Sequence, residues 1–138
     1  MSRIAYVNGR YVRHSEAAVH VEDRGYQFAD GVYEVCEIRH GFIVDLTRHL
    51  DRLDRSLREL EIGWPMQRQA LIAVIRETVR RNHVVNGMFY LQVTRGAAKR
   101  DQSAGRSREH IENAGVGVAA GVQSKQPAFA RRADEYAI

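Results

Sequence analysis

The chain has little of several features that would define its class. It holds one cysteine, Cys36, so no internal disulfide can form, which fits the reducing cytoplasm. No stretch approaches the roughly 20 consecutive apolar residues of a membrane-spanning helix, and the amino terminus has no apolar run of signal-peptide length. The histidines are scattered without metal-ligand spacing. We therefore expect a cytoplasmic protein without a metal site, a disulfide or a membrane segment.

Basic residues are in slight excess but do not cluster. The formal net charge is +4, and residues 1–101 hold 16 Lys and Arg against 13 Asp and Glu, so the excess is spread out. A nucleic-acid-binding protein would need a concentrated basic patch. Of those 16 basic residues 15 are arginine, whose guanidinium can grip two oxygens of a phosphate or carboxylate. Composition argues against nucleic acid and leaves small anions open.

The local patterns predict two hairpins, two helices and a strand, in that order. Asn8-Gly9 predicts a first hairpin whose turn residues have positive φ, and His40-Gly41 predicts a second. Residues 67–82 and a stretch with leucines spaced four, three, four and three apart predict amphipathic helices. The strand covers residues 88–95. The leucine stripe comprises Leu46, Leu50, Leu53, Leu57 and Leu60.

This order of elements predicts an α+β domain, an antiparallel sheet with two helices on one face. Residues 102–138 differ from what precedes them, with eight Ala, four Gly and only six of Leu, Ile, Val and Phe. A segment with so few large apolar residues buries too little surface to fold by itself. We expect one domain over residues 1–101 and a divergent, weakly ordered tail over 102–138.

One stretch, residues 22–34, mixes charges, two glycines and three aromatic residues without a helical or strand period. We interpret it as a turn entering a strand near Val32, with Gly25 and Gly31 adopting backbone conformations closed to other residues. Aromatic rings beside ionisable groups on a tight backbone suit the wall of a small-molecule pocket. A well-packed turn is the alternative that the residues alone favour.

Within that stretch, residues 23–34 read Asp-Arg-Gly-Tyr-Gln-Phe-Ala-Asp-Gly-Val-Tyr-Glu. This resembles the opening signature of the class IV pyridoxal-phosphate aminotransferases, in particular the D-amino acid aminotransferases. Branched-chain aminotransferases and aminodeoxychorismate lyase share the fold and stay open as alternatives. The resemblance implies the family's small N-terminal domain, pyridoxal 5'-phosphate as cofactor, an amino acid and a 2-oxo acid as substrates, and a homodimer.

Arg52 is the candidate for holding the cofactor phosphate. It lies three residues after His49 on the predicted helix, at the margin of the leucine stripe, where its stem can pack while its guanidinium reaches a cleft. Spacing alone favours one more surface arginine beside Arg48, Arg55 and Arg58. His-x-x-Arg at a helix start resembles the family's phosphate-anchoring motif, and the resemblance therefore implies a phosphate-binding role for Arg52.

Tyr33 and Arg100 are the candidates for the substrate carboxylate. Tyr33 matches a tyrosine that helps hold this group in D-amino acid aminotransferases, and we expect it to face a common cleft with Arg52; a core aromatic is the alternative. Arg100 fits the arginine of the family's carboxylate trap, a loop that can serve the neighbouring subunit, although Gln102 replaces the trap's histidine. Glu34 faces the other side of the strand and is interpreted as structural.

No residue of the chain is a candidate for the catalytic base. In the family the Schiff-base lysine and the glutamate that pairs with the pyridinium lie in a larger C-terminal domain, and neither Lys99 nor Lys125 matches that lysine. We expect the resemblance to end near residue 101 and the chain to be an incomplete aminotransferase, inactive alone, through natural truncation, a shifted reading frame or cloning. A non-catalytic, self-associating domain is the alternative.

Overall fold

The computed structural model describes residues 3–98 and the backbone of residues 115–121. Its first hairpin joins β1 (Ile4–Val7) to β2 (Arg10–Arg13). The turn residues Asn8 and Gly9 have φ of 45° and 91°, which confirms the predicted turn. A 3-10 turn at His14–Glu16 follows.

The stretch predicted as an irregular turn contains a short helix, α1 (Arg24–Phe28), before β3 (Gly31–Arg39). The prediction missed this helix because five residues are too few to show a period. The Asp23 carboxylate starts it by accepting hydrogen bonds from the backbone N–H groups of Gly25 and Tyr26, at 2.8 and 3.3 Å.

The two glycines of this stretch are needed for space and not for unusual backbone angles, which corrects the sequence interpretation. Neither has a positive φ. A Cβ on Gly31 would lie 2.7 Å from the carbonyl oxygen of Val93, and one on Gly25 would lie 2.8 Å from Cβ of Thr94. The signature stretch therefore packs directly on the strand that holds Val93 and Thr94, at a distance that a side chain would prevent.

The second hairpin joins β3 to the short β4 (Phe42–Ile43) through His40 and Gly41, at φ of 51° and 80°, as predicted. Two helices follow, α2 (Leu46–Glu59) and α3 (Arg68–Arg81), and then β5 (Gly87–Thr94). The predicted stripe of α2 is confirmed in its middle, where the buried leucines are Leu50, Leu53 and Leu57. Leu60 lies past the end of the helix and is 41% exposed.

A sixth strand, β6 (Gly115–Gly121), lies in the middle of the sheet, whose order is β2-β1-β6-β5-β3-β4. It pairs antiparallel with β1 and β5. The sequence analysis predicted no strand there, because this segment has only glycine, alanine and valine and shows no sustained period. The rest of 102–138 lies outside the described residues, so the boundary at 101 and the weak order of the tail stay predictions.

The helices α2 and α3 cover one face of the sheet and form the core with it, which confirms the predicted α+β arrangement. The buried residues of this face on the strands include Cys36, Ile38, Phe89, Leu91 and Val93. The opposite face is open, and Tyr33, Val35 and Tyr90 are 65%, 38% and 40% exposed there. None of the helices within the described residues is long and apolar enough to cross a membrane.

Candidate functional site

A cluster of one carboxylate, one guanidinium and one imidazole lies where α2 packs on β3. Glu34 points from the strand toward the helix and is only 3% exposed. The Nε of Arg52 donates to one oxygen of Glu34 at 2.7 Å, and Nη2 donates to the other at 2.6 Å. The helix and the strand thus hold one guanidinium and one carboxylate in a two-bond fork, the strongest geometry for this pair.

Arg52 is the exposed member of this ion pair, and Glu34 is the buried one. The Arg52 side chain is 56% exposed, although that of Glu34 is 3% exposed. Within residues 3–98, Nη1 of Arg52 donates no hydrogen bond, and Nη2 and Nε face Glu34. The cluster therefore presents guanidinium N–H groups in a fixed direction, as an anion-binding site requires.

His49 completes the cluster, with Nδ1 lying 2.7 Å from Oε2 of Glu34. An ionised carboxylate can only accept, so this contact places a proton on Nδ1. The same nitrogen lies 3.3 Å from Nη2 of Arg52, which also donates, so that second contact is not a hydrogen bond in this form. Nε2 of His49 has no partner among residues 3–98 and is the ring nitrogen left for a ligand.

The charges of the cluster shift the pKa values of its members in opposite directions. Burial works to raise the pKa of Glu34, but the hydrogen bonds from Arg52 and His49, together with their charges, outweigh it and lower that pKa. The hydrogen bond and charge of Glu34 raise the pKa of Arg52. Both groups are therefore ionised at neutral pH. Burial, and then the charge of Glu34, raises the pKa of the neighbouring Cys36 to about 12, so this thiol is inert.

Tyr33 leaves β3 on the other face of the sheet, where it stacks on Tyr90 with ring centroids 5.7 Å apart and planes 16° apart. The hydroxyl of Tyr90 donates to Oε1 of Gln92, and Gln92 is the residue of β5 that pairs with Tyr33. Burial, and then Tyr33, raises the pKa of Tyr90. Tyr33 is therefore an exposed aromatic and not the core residue that the sequence analysis weighed against a binding role.

Tyr33 and Arg52 do not share one face of the sheet, contrary to the expectation of a common cleft. Consecutive strand residues point to opposite faces, so Tyr33 points away from its neighbour Glu34, to which Arg52 is bound. Strand β4 pairs only with Ile38 and Arg39, so within the described chain the first half of β3 has no partner on that side. The hydrogen bond and charge of Glu34 contribute most to the raised pKa of Arg52, and the charge of Tyr33 contributes least.

The remaining charged residues of the signature stretch have structural partners. Nε of Arg24 and Nε of Arg95 each donate to Oδ2 of Asp30 at 2.8 Å. Arg95 also donates to the backbone carbonyls of Leu60 and Glu61, at 2.6 and 3.1 Å, at the end of α2. This network fixes α2 relative to the start of β3, and with it the position of the Glu34 cluster.

A groove of about 1180 Å³ lies elsewhere, between β4, the start of α2 and α3. Two of its arginines are already paired, Arg68 with Asp51 at 2.7 Å and Arg80 with Glu77 at 2.7 Å. Neither Arg52, His49 nor Tyr33 lines it. The Glu34 cluster is the better candidate because its polar groups converge on a buried carboxylate.

Within the described residues, no group of three or more His, Cys, Asp or Glu side chains could hold a metal ion. Arg100, Gln102 and both lysines lie outside the described residues. Their predicted parts in the carboxylate trap, and the mismatch of Lys99 and Lys125 with a catalytic lysine, therefore stay predictions.

Comparison with known sequences identifies the family. The sequence model described as Amino-transferase class IV matches residues 31–128, which include the whole Glu34 cluster and Tyr33. The chain belongs to the class IV aminotransferases. The match also runs beyond residue 101, where the resemblance was predicted to end.

Among curated relatives, the D-alanine aminotransferase of Bacillus licheniformis is 45% identical to this class IV aminotransferase chain over 98 residues. That of Staphylococcus haemolyticus is 39% identical over the same length. Each alignment covers 71% of this chain and 35% of the relative. The chain thus spans about a third of the length of the curated relatives that it matches.

Solved structures show the same fold. The branched-chain amino acid aminotransferase from Escherichia coli superimposes with a TM-score of 0.76 at 17% identity, over 89% of this chain and 42% of that one. The branched-chain aminotransferase from Thermoproteus uzoniensis with norvaline gives a TM-score of 0.73 at 24% identity, over 91% of this chain and 42% of that one. The likeness confirms the fold of a class IV aminotransferase over most of the chain.

Sequence reasoning missed the part of Glu34 in this site. It interpreted Glu34 as structural because Glu34 faces the other side of the strand from Tyr33, the residue that resembles a substrate-binding tyrosine of the family. The signal was present: Glu34 faces the helix side of β3, and His49 and Arg52 share one flank of that helix. A carboxylate facing an arginine and a histidine predicts a hydrogen-bonded cluster, but only once the helix is known to pack on this strand.

Proposed function

We propose that this chain forms one wall of the cofactor site of a D-amino acid aminotransferase. Arg52 binds the phosphate of pyridoxal 5'-phosphate, and Tyr33 and Arg100 bind the substrate carboxylate. The observation that carries the proposal is the Arg52 guanidinium, held by two hydrogen bonds to buried Glu34, with no partner for Nη1 among residues 3–98. The 39–45% identity to D-alanine aminotransferases supports the D-amino acid type.

The residues present fit the phosphate of the cofactor. A phosphate monoester is a doubly charged acceptor, and a guanidinium with free N–H groups matches two of its oxygens. Pyridoxal phosphate supplies an aldehyde that takes up the amino group and a ring that holds the electron pair released at the substrate Cα. Arg52 would hold and orient it, and Tyr33 would exclude water on the substrate side while its hydroxyl donates to a carboxylate.

The 138 residues by themselves are proposed to be inactive. Transamination needs a lysine that bonds the cofactor and moves the Cα proton, and neither Lys99 nor Lys125 resembles the family's Schiff-base lysine. A single buried, inert cysteine fits a reducing compartment, and we propose the cytoplasm. The proposed assembly is a homodimer, and sedimentation equilibrium at a mass other than twice 15.7 kDa would oppose it.

The test is binding of pyridoxal phosphate to the purified chain, measured by equilibrium dialysis. Arg52→Gln should weaken binding about 10- to 100-fold, since a hydrogen bond to a charged group contributes ~1.5–3 kcal/mol. The matched control is Arg55→Gln. It removes the same charge from an exposed position one turn further along α2, and it should change the affinity for pyridoxal phosphate little.

Two further measurements in that experiment separate phosphate recognition from general charge. Pyridoxal, which lacks the phosphate, should bind no better to the wild type than to Arg52→Gln. Arg52→Lys keeps the charge but cannot form the fork, so it should bind less tightly than the wild type. Equal affinities of Arg52→Gln and Arg55→Gln for pyridoxal phosphate, with circular dichroism showing both folded, would reject the proposal.

A further inference from the structure

We propose that Glu34 is a positioning residue of the phosphate site, which holds the Arg52 guanidinium as a directed anion receptor and fixes the His49 ring beside it. The inference rests on the proposed function, because it takes a phosphate group as the ligand of Arg52. Glu34 would not touch that phosphate. It would act only through the two side chains that it holds.

The first argument is what Glu34 does to the guanidinium. Arg52 lies on the exposed flank of a helix, where an unpaired arginine samples many rotamers. The fork to Glu34 uses Nε and one N–H of Nη2 and fixes the plane of the group. The donors left over, on Nη1 and on the second N–H of Nη2, then point in one direction, so less side-chain entropy is lost when an anion binds.

The second argument is what Glu34 does to the imidazole. Its carboxylate lies 2.7 Å from Nδ1 of His49 and requires a proton there. The ring is thereby fixed in orientation, with Nε2 on the side away from Glu34, where this nitrogen accepts a hydrogen bond in the neutral ring and donates one to an anion only in the protonated ring. Such carboxylate partners of histidine orient the ring in the same way in metal sites.

The third argument is electrostatic. A carboxylate beside an anion site repels the anion, so Glu34 should weaken phosphate binding by its charge alone. Its burial at 3% exposure is stable because both oxygens are hydrogen-bonded. If Glu34 helps phosphate to bind, the help must come from geometry. Removing the charge of Glu34 therefore has two opposite effects on phosphate affinity. The loss of repulsion strengthens binding and the loss of orientation weakens it, so an experiment can separate them.

The experiment measures binding of inorganic phosphate to the full 138-residue chain by titration calorimetry, for the wild type, Glu34→Gln and Glu34→Asp. Glu37→Gln is the matched control, since it removes the same charge from the open face of the same strand. We expect Glu34→Gln to weaken phosphate binding about tenfold, the lower end of what losing an orienting partner costs in metal sites. Glu37→Gln should bind phosphate as the wild type does.

A second readout follows the side chain itself. In ¹H–¹⁵N spectra the Nε–H of Arg52, identified by its loss in Arg52→Lys, should exchange slowly in the wild type and fast in Glu34→Gln. A role for Glu34 in folding alone would not change phosphate affinity among folded variants. Glu34→Asp keeps the charge but shortens the reach, so it should also weaken binding, and it decides the question if Glu34→Gln does not fold.

The outcomes distinguish the inference from the function on which it rests. Phosphate binding that is lost in Arg52→Gln but equal or tighter in folded Glu34→Gln, or unchanged in Glu34→Asp, overturns the positioning role alone. A wild-type chain that binds no phosphate overturns the proposed phosphate site, and the receptor role of Glu34 with it.

Discussion

Thr94 shows how single residues hold the signature stretch in place. It lies at the end of β5 and is 7% exposed. Its hydroxyl donates to Oδ2 of Asp23 at 2.9 Å and accepts from the backbone N–H of Gly96 at 3.1 Å. Asp23 in turn caps α1, so the start of that short helix is fixed by a residue 71 positions away. No side chain would fit at Gly25 or Gly31, because the stretch lies so close to Val93 and Thr94 of β5.

At this scale we predict that Gly31→Ala destabilises the chain. The added Cβ would lie 2.7 Å from the carbonyl oxygen of Val93 and 3.1 Å from Cα of Thr94, and backbone atoms cannot move aside easily. The loss of unfolding free energy should be about 1–3 kcal/mol, as for overpacking elsewhere. Urea unfolding measures it. Gly63→Ala, which meets nothing within 4 Å, is the control and should be neutral or slightly stabilising. Equal effects at both sites would disprove the steric explanation.

Among elements, the connection between α3 and β1 depends on one side chain. Asn82, the residue that follows α3, accepts through Oδ1 from the backbone N–H of Ile4 at 2.9 Å. Its Nδ2 donates to the carbonyls of Ile4 and Thr78, at 2.9 and 2.7 Å. This amide closes the end of the helix and extends the hydrogen bonding of the first strand, 78 residues earlier in the chain.

We predict that Asn82→Asp weakens this connection. The carboxylate cannot donate to the two carbonyls and places negative charge at a helix C-terminus, which disfavours it. The unfolding free energy should fall by about 1–3 kcal/mol. Asn86→Asp is the control, because Asn86 accepts from the backbone N–H of His40 and an aspartate still can. Thermal unfolding of both variants measures the difference, and an equal shift would count against the bridging role of Nδ2.

For the molecule as a whole, two carboxylates tie the helix layer to the sheet. Glu34 pairs with Arg52 of α2, and Asp30 pairs with Arg95, which also holds the end of α2. Burial works to raise the pKa of Asp30, but the hydrogen bonds and charges of Arg95 and Arg24 lower it overall, as happens for Glu34. The folded chain therefore binds fewer protons than the unfolded one at acid pH.

We predict that stability falls in acid because of these two groups. Their contribution is present above the usual pKa values of 3.8 and 4.5, and it is lost as the pH falls through the lower values of the folded state. The urea midpoint should decrease below about pH 4.5 in the wild type. Glu34→Gln should lose less between pH 7 and pH 3, whereas Glu37→Gln should follow the wild type. If the urea midpoint of Glu34→Gln falls with pH as steeply as that of the wild type, Glu34 does not cause the acid sensitivity.

The local elements could be predicted from sequence because each depends on neighbours in the chain. Asn8-Gly9 needs only its own positive φ angles to make a turn, and the leucines of α2 need only helical spacing to form a stripe. The class IV signature at residues 23–34 was likewise complete in the sequence. Strand β6 could not be predicted, because glycine and alanine adopt a strand there only between two partners.

What the sequence determined by itself was the α+β class, the family and Arg52 as a candidate anion-binding residue. What only the tertiary structure decided was how these residues meet: that Glu34 holds Arg52 and His49, and that Tyr33 lies across the strand from them. The physical reason is that a strand alternates its side chains between two faces, so the helix packed on one face selects which of two neighbours becomes a partner.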